Sequence, residues 1–203
     1  MTHWGMVIDL KRCVGCHSCT LACKEENGTP PDVFFTRVLE DEVGTYPQTT
    51  RQFVPVLCNH CRNAPCVEVC PTGATYRTPE EGIVLVDKEV CVGCRACYVA
   101  CPYNNRFYLD DGVLETGYFG TLTPYEKYKY AAFEAGTVIK CTFCYHRLQQ
   151  GLEPACVATC PTGARVFGNL DDPESKINAL IRQRRGYQPL AELGTDPSVF
   201  YLD

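Results

Sequence analysis

Sixteen cysteines in 203 residues fall into four groups of four with none left over, and this partition constrains the chain more than any other feature. The groups are Cys13, Cys16, Cys19 and Cys23; Cys58, Cys61, Cys66 and Cys70; Cys91, Cys94, Cys97 and Cys101; and Cys141, Cys144, Cys156 and Cys160. The first and third share C-x2-C-x2-C-x3-C, the second widens one gap to four residues, the fourth widens it to eleven, and all keep the final C-x3-C. Proline follows the last cysteine in three groups, as Pro71, Pro102 and Pro161, whereas Lys24 takes that place in the first. Pro-Thr-Gly-Ala recurs at Pro71 to Ala74 and at Pro161 to Ala164. That recurrence points to duplication of a whole module, with two cysteine groups in each.

In a short secreted chain, cysteine at this density would imply a disulfide scaffold. Spacing opposes that reading, because C-x2-C-x2-C crowds three sulfurs into one loop where few pairings are relaxed. Redox catalysis by a thioredoxin-like C-x2-C would need one or two reactive pairs, not sixteen cysteines in register. Zinc is the strongest competitor, since paired C-x2-C knuckles make four-thiolate sites, but zinc does not call for a third cysteine at the same short step followed by C-x3-C-P. Three thiolates so spaced converge on one face of an iron-sulfur cube, with the intervening N–H groups turned toward its sulfides. The fourth, before proline, reaches the neighbouring cube in the two-cluster ferredoxin pattern. All sixteen cysteines are therefore expected to be metal ligands, holding four 4Fe-4S clusters for electron transfer. No catalytic residues are expected: there is no Ser-His-Asp arrangement, G-x-G-x-x-G or G-x4-G-K-[ST].

The formal charge of −5 disfavours nucleic acid, whose phosphates need a basic face. No stretch approaches the roughly 18 to 20 apolar residues that span a bilayer, so no direct membrane span is expected. Met1 to Leu10 lacks a basic region with an apolar core and lacks paired arginines, so no signal peptide of its own is expected.

Gly5 to Leu10, Phe53 to Leu57, Ile83 to Val86 and Arg165 to Phe167 read as short strands leading into or out of the cysteine groups. Thr123-Pro124-Tyr125-Glu126 is a capping box with proline at the first helical position, opening a helix that should run to Gly136. A second helix should follow Asp172-Pro173, with Ile177, Leu180 and Ile181 on one face, Arg182, Arg184 and Arg185 in its last turn, and Gly186 beyond. Two connections are long, Lys24 to Leu57 and Pro102 to Lys140, and the second is rich in tyrosine (Tyr103, Tyr108, Tyr118, Tyr125, Tyr128, Tyr130). It reads as a surface insertion with some core packing or as a contact surface for a partner. His17, His60 and His146 lie near the cysteines and are expected to be structural or solvated, since each group already has four thiols. Arg12, Lys24, Arg62, Arg95, Lys140 and Arg147 also lie near ligands. A cation there is either solvated surface charge or a group that favours the reduced cluster and raises its potential.

The order of motifs resembles the four-cluster iron-sulfur subunit of the complex iron-sulfur molybdoenzyme family, the dimethyl sulfoxide reductase family, with polysulfide, thiosulfate and arsenate reductase subunits among its members. The resemblance covers nearly the whole chain. It rests on Gly5-Met6-Val7-Ile8-Asp9-Leu10, Val43-Gly44-Thr45-Tyr46-Pro47, Cys58-Asn59-His60-Cys61 with Ala64-Pro65-Cys66, and Lys140-Cys141-Thr142-Phe143-Cys144 with Pro154-Ala155-Cys156. Gly168-Asn169-Leu170-Asp171-Asp172-Pro173 and Val199-Phe200-Tyr201 complete it.

The resemblance implies an α+β fold of two bacterial-ferredoxin-like double-cluster modules related by pseudo-two-fold duplication, with long loops and peripheral helices. It pairs group one with group four and group two with group three. Cys13, Cys16, Cys19 and Cys160 would hold cluster 1, and Cys141, Cys144, Cys156 and Cys23 cluster 2. Cys91, Cys94, Cys97 and Cys70 would hold cluster 3, and Cys58, Cys61, Cys66 and Cys101 cluster 4. Residues 1–57 with 141–203 would then form one module, 58–105 the other, and 106–140 a Tyr-rich insertion with a short helix. Nitrate-reductase relatives replace one cysteine by tryptophan and carry a three-iron cluster; this chain keeps all its cysteines, so four cubanes are expected. Expected partners are a molybdopterin (Mo or W) catalytic subunit, which holds that cofactor, and a membrane quinol subunit or soluble carrier. The chain would be peripheral to the membrane, on the extracytoplasmic face by co-export with its partner, or cytoplasmic. An alternative keeps the clusters in a polyferredoxin-type subunit of a hydrogenase or formate-oxidising complex, and another is a zinc-stabilised interaction module.

Overall fold

The computed structural model describes residues 2–203 as a mixture of short helices and strands. Strand β1 (Trp4–Asp9) carries Met6, Val7 and Ile8, all fully buried, which is why this run is apolar on both faces. Helix α1 (Ser18–Asn27) follows the first cysteine group and ends at Gly28, whose left-handed φ of 59° lets its N–H close on Lys24 O. The hairpin β2 (Thr36–Thr45) and β3 (Gln48–Leu57) comes next, then α2 (Pro65–Glu68), β4 (Thr75–Arg77), β5 (Val84–Val86) and α3 (Ala96–Val99). Residues 106–140 hold β6 (Phe107–Tyr108), α4 (Asp111–Thr116), α5 (Pro124–Tyr130) and β7 (Val138–Ile139). The chain closes with α6 (Tyr145–Leu148), α7 (Ala155–Ala158), β8 (Arg165–Asn169), α8 (Lys176–Arg184) and β9 (Val199–Leu202).

Strand β1 is the centre of a three-stranded sheet, antiparallel to β8 and parallel to β9, so the two ends of the chain share one sheet. The strands β4 and β5 pair antiparallel, as do β6 and β7. The main core joins Met6, Ile8, Leu57, Ile83, Leu109, Phe143 and Val199 with the thiols of Cys19, Cys23, Cys141 and Cys156. Among the described residues no helix is long and apolar enough to cross a membrane.

All four expected strands form, with boundaries shifted by at most a few residues apart from β3, which begins at Gln48. Three expectations need correction. The Lys24-to-Leu57 connection is largely ordered, as the end of α1 and a hairpin of two ten-residue strands. Strand β2 was invisible because Leu39 onward is exposed on both faces, leaving no alternation to read. The capping box at Thr123 and Glu126 forms as expected, yet α5 stops at Tyr130, not Gly136. The chain tightens there into i→i+3 turns, Ala132 N–H to Lys129 O and Phe133 N–H to Tyr130 O, which bring Phe133 against the Tyr130 ring and the core. Helix α8 begins at a Ser175 cap, and Arg185, not Gly186, takes the left-handed position after it.

His3 ties the first strand to the last. It is buried, its Nε2 lies 2.8 Å from Ser198 Oγ, and Arg62 Nη2 donates to its Nδ1. Burial and the Arg62 charge lower its pKa from 6.5 to about 4. The folded chain thus keeps His3 neutral while the unfolded chain protonates it, so its contribution is lost as pH falls from about 6.5 toward about 4. Chemical denaturation of the holoprotein at pH 7 and pH 4.5 should therefore show wild type losing more stability than His3→Gln; equal losses would remove His3 from the linkage.

Candidate iron-sulfur centres

In each group the third cysteine is the second residue of a helix: Cys19 in α1, Cys66 in α2, Cys97 in α3 and Cys156 in α7. The preceding loops of groups one and three turn through Gly15 (φ 66°) and Gly93 (φ 65°). A Cβ at Gly15 would lie 2.3 Å from the Phe53 ring, and one at Gly93 2.0 Å from Gly136 O, so only glycine fits. After the third cysteine, α2, α3 and α7 stop within one turn, ahead of Pro71, Pro102 and Pro161. Proline disfavours helical backbone in the residue before it. Lys24 imposes no such limit, and α1 runs on through Cys23 to Asn27.

Folding brings the groups together across the sequence. Cys13, Cys16 and Cys19 line one cavity with Cys160, and Cys91, Cys94 and Cys97 line another with Cys70. Cys23 is pushed up in pKa by burial and by the charges of Cys156 and Cys144, and Cys141 by burial and by Cys23, Cys58 and Cys144. Asn27 Nδ2 donates to Cys23 Sγ at 3.4 Å and lies 3.9 Å from Cys144 Sγ. Burial raises Cys61 to about 12, with Cys58, Cys66 and Cys101 adding to the effect. Cys16 and Cys94 are exposed, whereas Cys23, Cys141, Cys144 and Cys156 are all buried.

The donor chemistry fits iron-sulfur cubes. All sixteen thiols are free of disulfides. Among the described residues no three His, Cys, Asp or Glu side chains converge closely enough for a single metal ion, as a zinc site with thiolates about 2.3 Å from its centre would require. Thiols gathered in this way repel one another when ionised, which a cationic iron-sulfur core would relieve. Donors already point at the sulfurs: Phe143 N–H to Cys141 Sγ at 3.4 Å and Thr75 N–H to Cys70 Sγ at 3.3 Å.

Most of the expected nearby cations are engaged elsewhere. Arg95 stacks on Tyr108 at 3.7 Å, Arg147 pairs with Glu26 at 2.7 Å, and Arg62 pairs with Asp171 at 3.4 Å. Arg12 lies over Gly163. Lys24 Nζ donates to Thr29 O, Pro30 O and Val33 O at 3.2, 2.7 and 2.9 Å, and burial lowers its pKa to about 8. Of the six, Lys140 alone is buried, with Nζ donating to Cys141 O at 2.6 Å. His17 pairs with Glu40 and His146 with Glu26, each at 2.8 Å. His60 is fully buried, accepts from Val84 N–H at 3.1 Å and stacks on Phe143 at 3.8 Å. In the Tyr-rich segment, Tyr118 and Tyr125 donate to Thr29 O and Glu25 O at the end of α1, while Tyr128 stays exposed.

Sequence reading passed over two buried cations facing the thiols, Arg106 and Arg165. Burial alone would lower the pKa of each, but Cys66, Cys97 and Cys58 raise Arg106, and Cys156 and Cys19 raise Arg165. The signal was there: each stands five residues after the last cysteine of its group.

A 4Fe-4S dicluster domain family matches residues 49–118 and 114–170, and a 4Fe-4S binding domain family matches residues 4–25. A selenate reductase subunit of Mesobacillus selenatarsenatis is 45% identical, over 98% of this chain and 71% of its own length. The arsenate respiratory reductase iron-sulfur subunit of a Shewanella species is 41% identical, over 98% and 95%, and a tetrathionate reductase subunit of Salmonella typhimurium is 44% identical, over 98% and 72%. With Cys160 gathered beside Cys13, Cys16 and Cys19, Cys70 beside Cys91, Cys94 and Cys97, and matches of this extent, the chain belongs to the iron-sulfur electron-transfer subunits of the complex iron-sulfur molybdoenzyme family.

Proposed function

We propose that the sixteen cysteines bind four 4Fe-4S clusters in two crossed pairs, forming one electron path that links a molybdopterin catalytic subunit to a membrane quinol subunit. When bound, each cluster supplies one-electron chemistry; the chain holds and insulates it. Cluster 1 takes Cys13, Cys16, Cys19 and Cys160, and cluster 2 takes Cys141, Cys144, Cys156 and Cys23. Cluster 4 takes Cys58, Cys61, Cys66 and Cys101, and cluster 3 takes Cys91, Cys94, Cys97 and Cys70. The observation that carries this reading is the meeting of each last cysteine with the partner group's first three, as when Cys160 joins Cys13, Cys16 and Cys19.

The order along the path is 1, 2, 4, 3. Cys58 acts electrostatically on Cys141, which supports placing clusters 2 and 4 side by side at the centre. Exposed Cys16 and Cys94 support placing clusters 1 and 3 at the ends. Exposed Val14 and Leu21 near the first, and Val92 and Val99 near the second, suit contact with partners. In this reading the chain is peripheral to the membrane.

A duplicated module accounts for the pairing, with residues 1–57 and 141–203 as one copy, 58–105 as the other, and 106–140 as an insertion. Several matched contacts support it. Thr72 Oγ1 lies 3.8 Å from Cys70 Sγ, and Thr162 Oγ1 3.7 Å from Cys160 Sγ. Asp87 N–H donates to Ala74 O and Asp9 N–H to Ala164 O, both at 2.8 Å. Cys91 N–H then donates to Asp87 O at 3.1 Å and Cys13 N–H to Asp9 O at 3.2 Å.

Crossing is tested by serine substitution in the intact complex, read by the paramagnetic signal of each reduced cluster. Cys160→Ser should perturb the same cluster as Cys13→Ser, and Cys23→Ser the same cluster as Cys141→Ser. If Cys23→Ser instead alters the cluster affected by Cys13→Ser, the crossed assignment fails. The partner half of the reading requires a large pterin-containing subunit to co-purify.

A further inference from the structure

Arg106 is 2% exposed and Arg165 3%. A guanidinium so deep is costly unless negative charge answers it. Among the described residues neither arginine pairs with a carboxylate. Arg106 Nη1 donates to Thr75 Oγ1 at 3.2 Å, and its buried Nη2 has no protein partner. Arg165 Nη2 donates to Thr36 Oγ1 at 2.8 Å, and its Nη1 lies 3.8 Å from Met6 Sδ.

Thiols are what these arginines face. Arg106 lies within electrostatic reach of Cys66 and Cys97, the third cysteines of groups two and three, and of Cys58. Arg165 reaches Cys156 and Cys19, the third cysteines of groups four and one. Arg165 also lines the cavity formed by Cys13, Cys16, Cys19 and Cys160, and each arginine acts on thiols from both groups of its pair. Both stand five residues after a final cysteine, although the intervening residues differ, Pro102-Tyr103-Asn104-Asn105 against Pro161-Thr162-Gly163-Ala164. The hydroxyl that receives Arg106 is Thr75, itself five residues after Cys70.

We propose that Arg106 and Arg165 are positioning residues for charge, one fixed counter-cation per cluster pair, each raising the reduction potential of both clusters in its own module. This rests on the crossed pairing above. An electron entering either quartet adds one negative charge beside a cation that water does not screen, so the reduced form is favoured. Arginine suits the place because its planar fork stays charged and offers donors to both sides at once.

The test is a potentiometric titration of the intact complex, following each cluster's paramagnetic signal in Arg106→Gln and Arg165→Gln. Arg106→Gln should lower the reduced-to-oxidised ratio of clusters 3 and 4 about tenfold at a fixed potential, equivalent to about 59 mV for a one-electron couple. Clusters 1 and 2 should stay unchanged, and Arg165→Gln should give the reverse pattern. Arg→Lys, which keeps the charge, should restore wild-type potentials at either site. If a glutamine variant assembles with less than its full iron, the clusters it retains are read: lowered potentials in its own module support the proposal, and unchanged ones overturn it. Shifts in one cluster of each module would overturn the crossed pairing. Absent shifts, with the Cys23 and Cys160 variants behaving as expected, would overturn the counter-cation role alone.

Discussion

Anaerobic chelation of iron from the holoprotein should unfold it, not leave a compact apo-chain. The reason is where the thiols lie. Cys19, Cys23, Cys141 and Cys156 are members of the same buried cluster as Met6, Ile8, Leu57 and Phe143, so the ligands are part of the core and not appended to it. Helices α2, α3, α6 and α7 have four residues each, far below the length at which a helix persists alone. In the proposed pairing, crossed quartets tie these turns together. Metal-binding free energy becomes folding free energy in such cases, with values of about 10 kcal/mol or more known for single structural metal sites, comparable to the roughly 5 to 15 kcal/mol that stabilises a whole domain. Once the metal is gone, buried cysteines such as Cys23, Cys141, Cys144 and Cys156 also lose the centre that would neutralise them. The expected result is collapse of far-UV circular dichroism and of amide protection as iron leaves. An iron-free chain that keeps native protection would overturn the claim that clusters hold this fold together.

Lys24→Pro should be the most damaging substitution outside the ligands, although proline occupies the matching position in the other three groups. Lys24 sits inside α1, and proline there removes a helical N–H and clashes with the preceding turn, at a cost of about 3 kcal/mol. The substitution also deletes the three hydrogen bonds from Nζ to Thr29 O, Pro30 O and Val33 O, and the cation above the Phe34 ring at 4.4 Å. Lys24→Met separates the effects, since it keeps the helix and loses only the side-chain bonds. The denaturant midpoint should fall most in Lys24→Pro and by a smaller step in Lys24→Met, with the m-value unchanged. A proline variant as stable as wild type would mean that α1 need not extend past Cys23.

Legibility in the sequence followed local chemistry. The cysteine groups stood out because their spacing is local, and β1, β3, β5 and β8 because they are apolar runs beside those groups. The capping box at Thr123 and Glu126 was visible to the residue because it is a four-residue pattern satisfied by its own backbone. What stayed hidden depended on distant partners. Strand β2 exists only because β3 pairs with it, and polar residues on both faces erase the period of two. Helix α5 ends early because Phe133 is drawn into a core that no local pattern announces. Arg106 and Arg165 were passed over as cations because only the fold encloses them, while Arg62, Arg95 and Arg147 beside the motifs found other partners.

The sheet order β8-β1-β9 bears on how the molecule is made. Strand β1 emerges first from the ribosome, yet both of its neighbours lie beyond residue 164, so it waits unpaired through most of translation. Groups two and three, 58 to 101 in sequence, are complete long before that. The buried edges of β1 must therefore be shielded from aggregation until the last strands arrive.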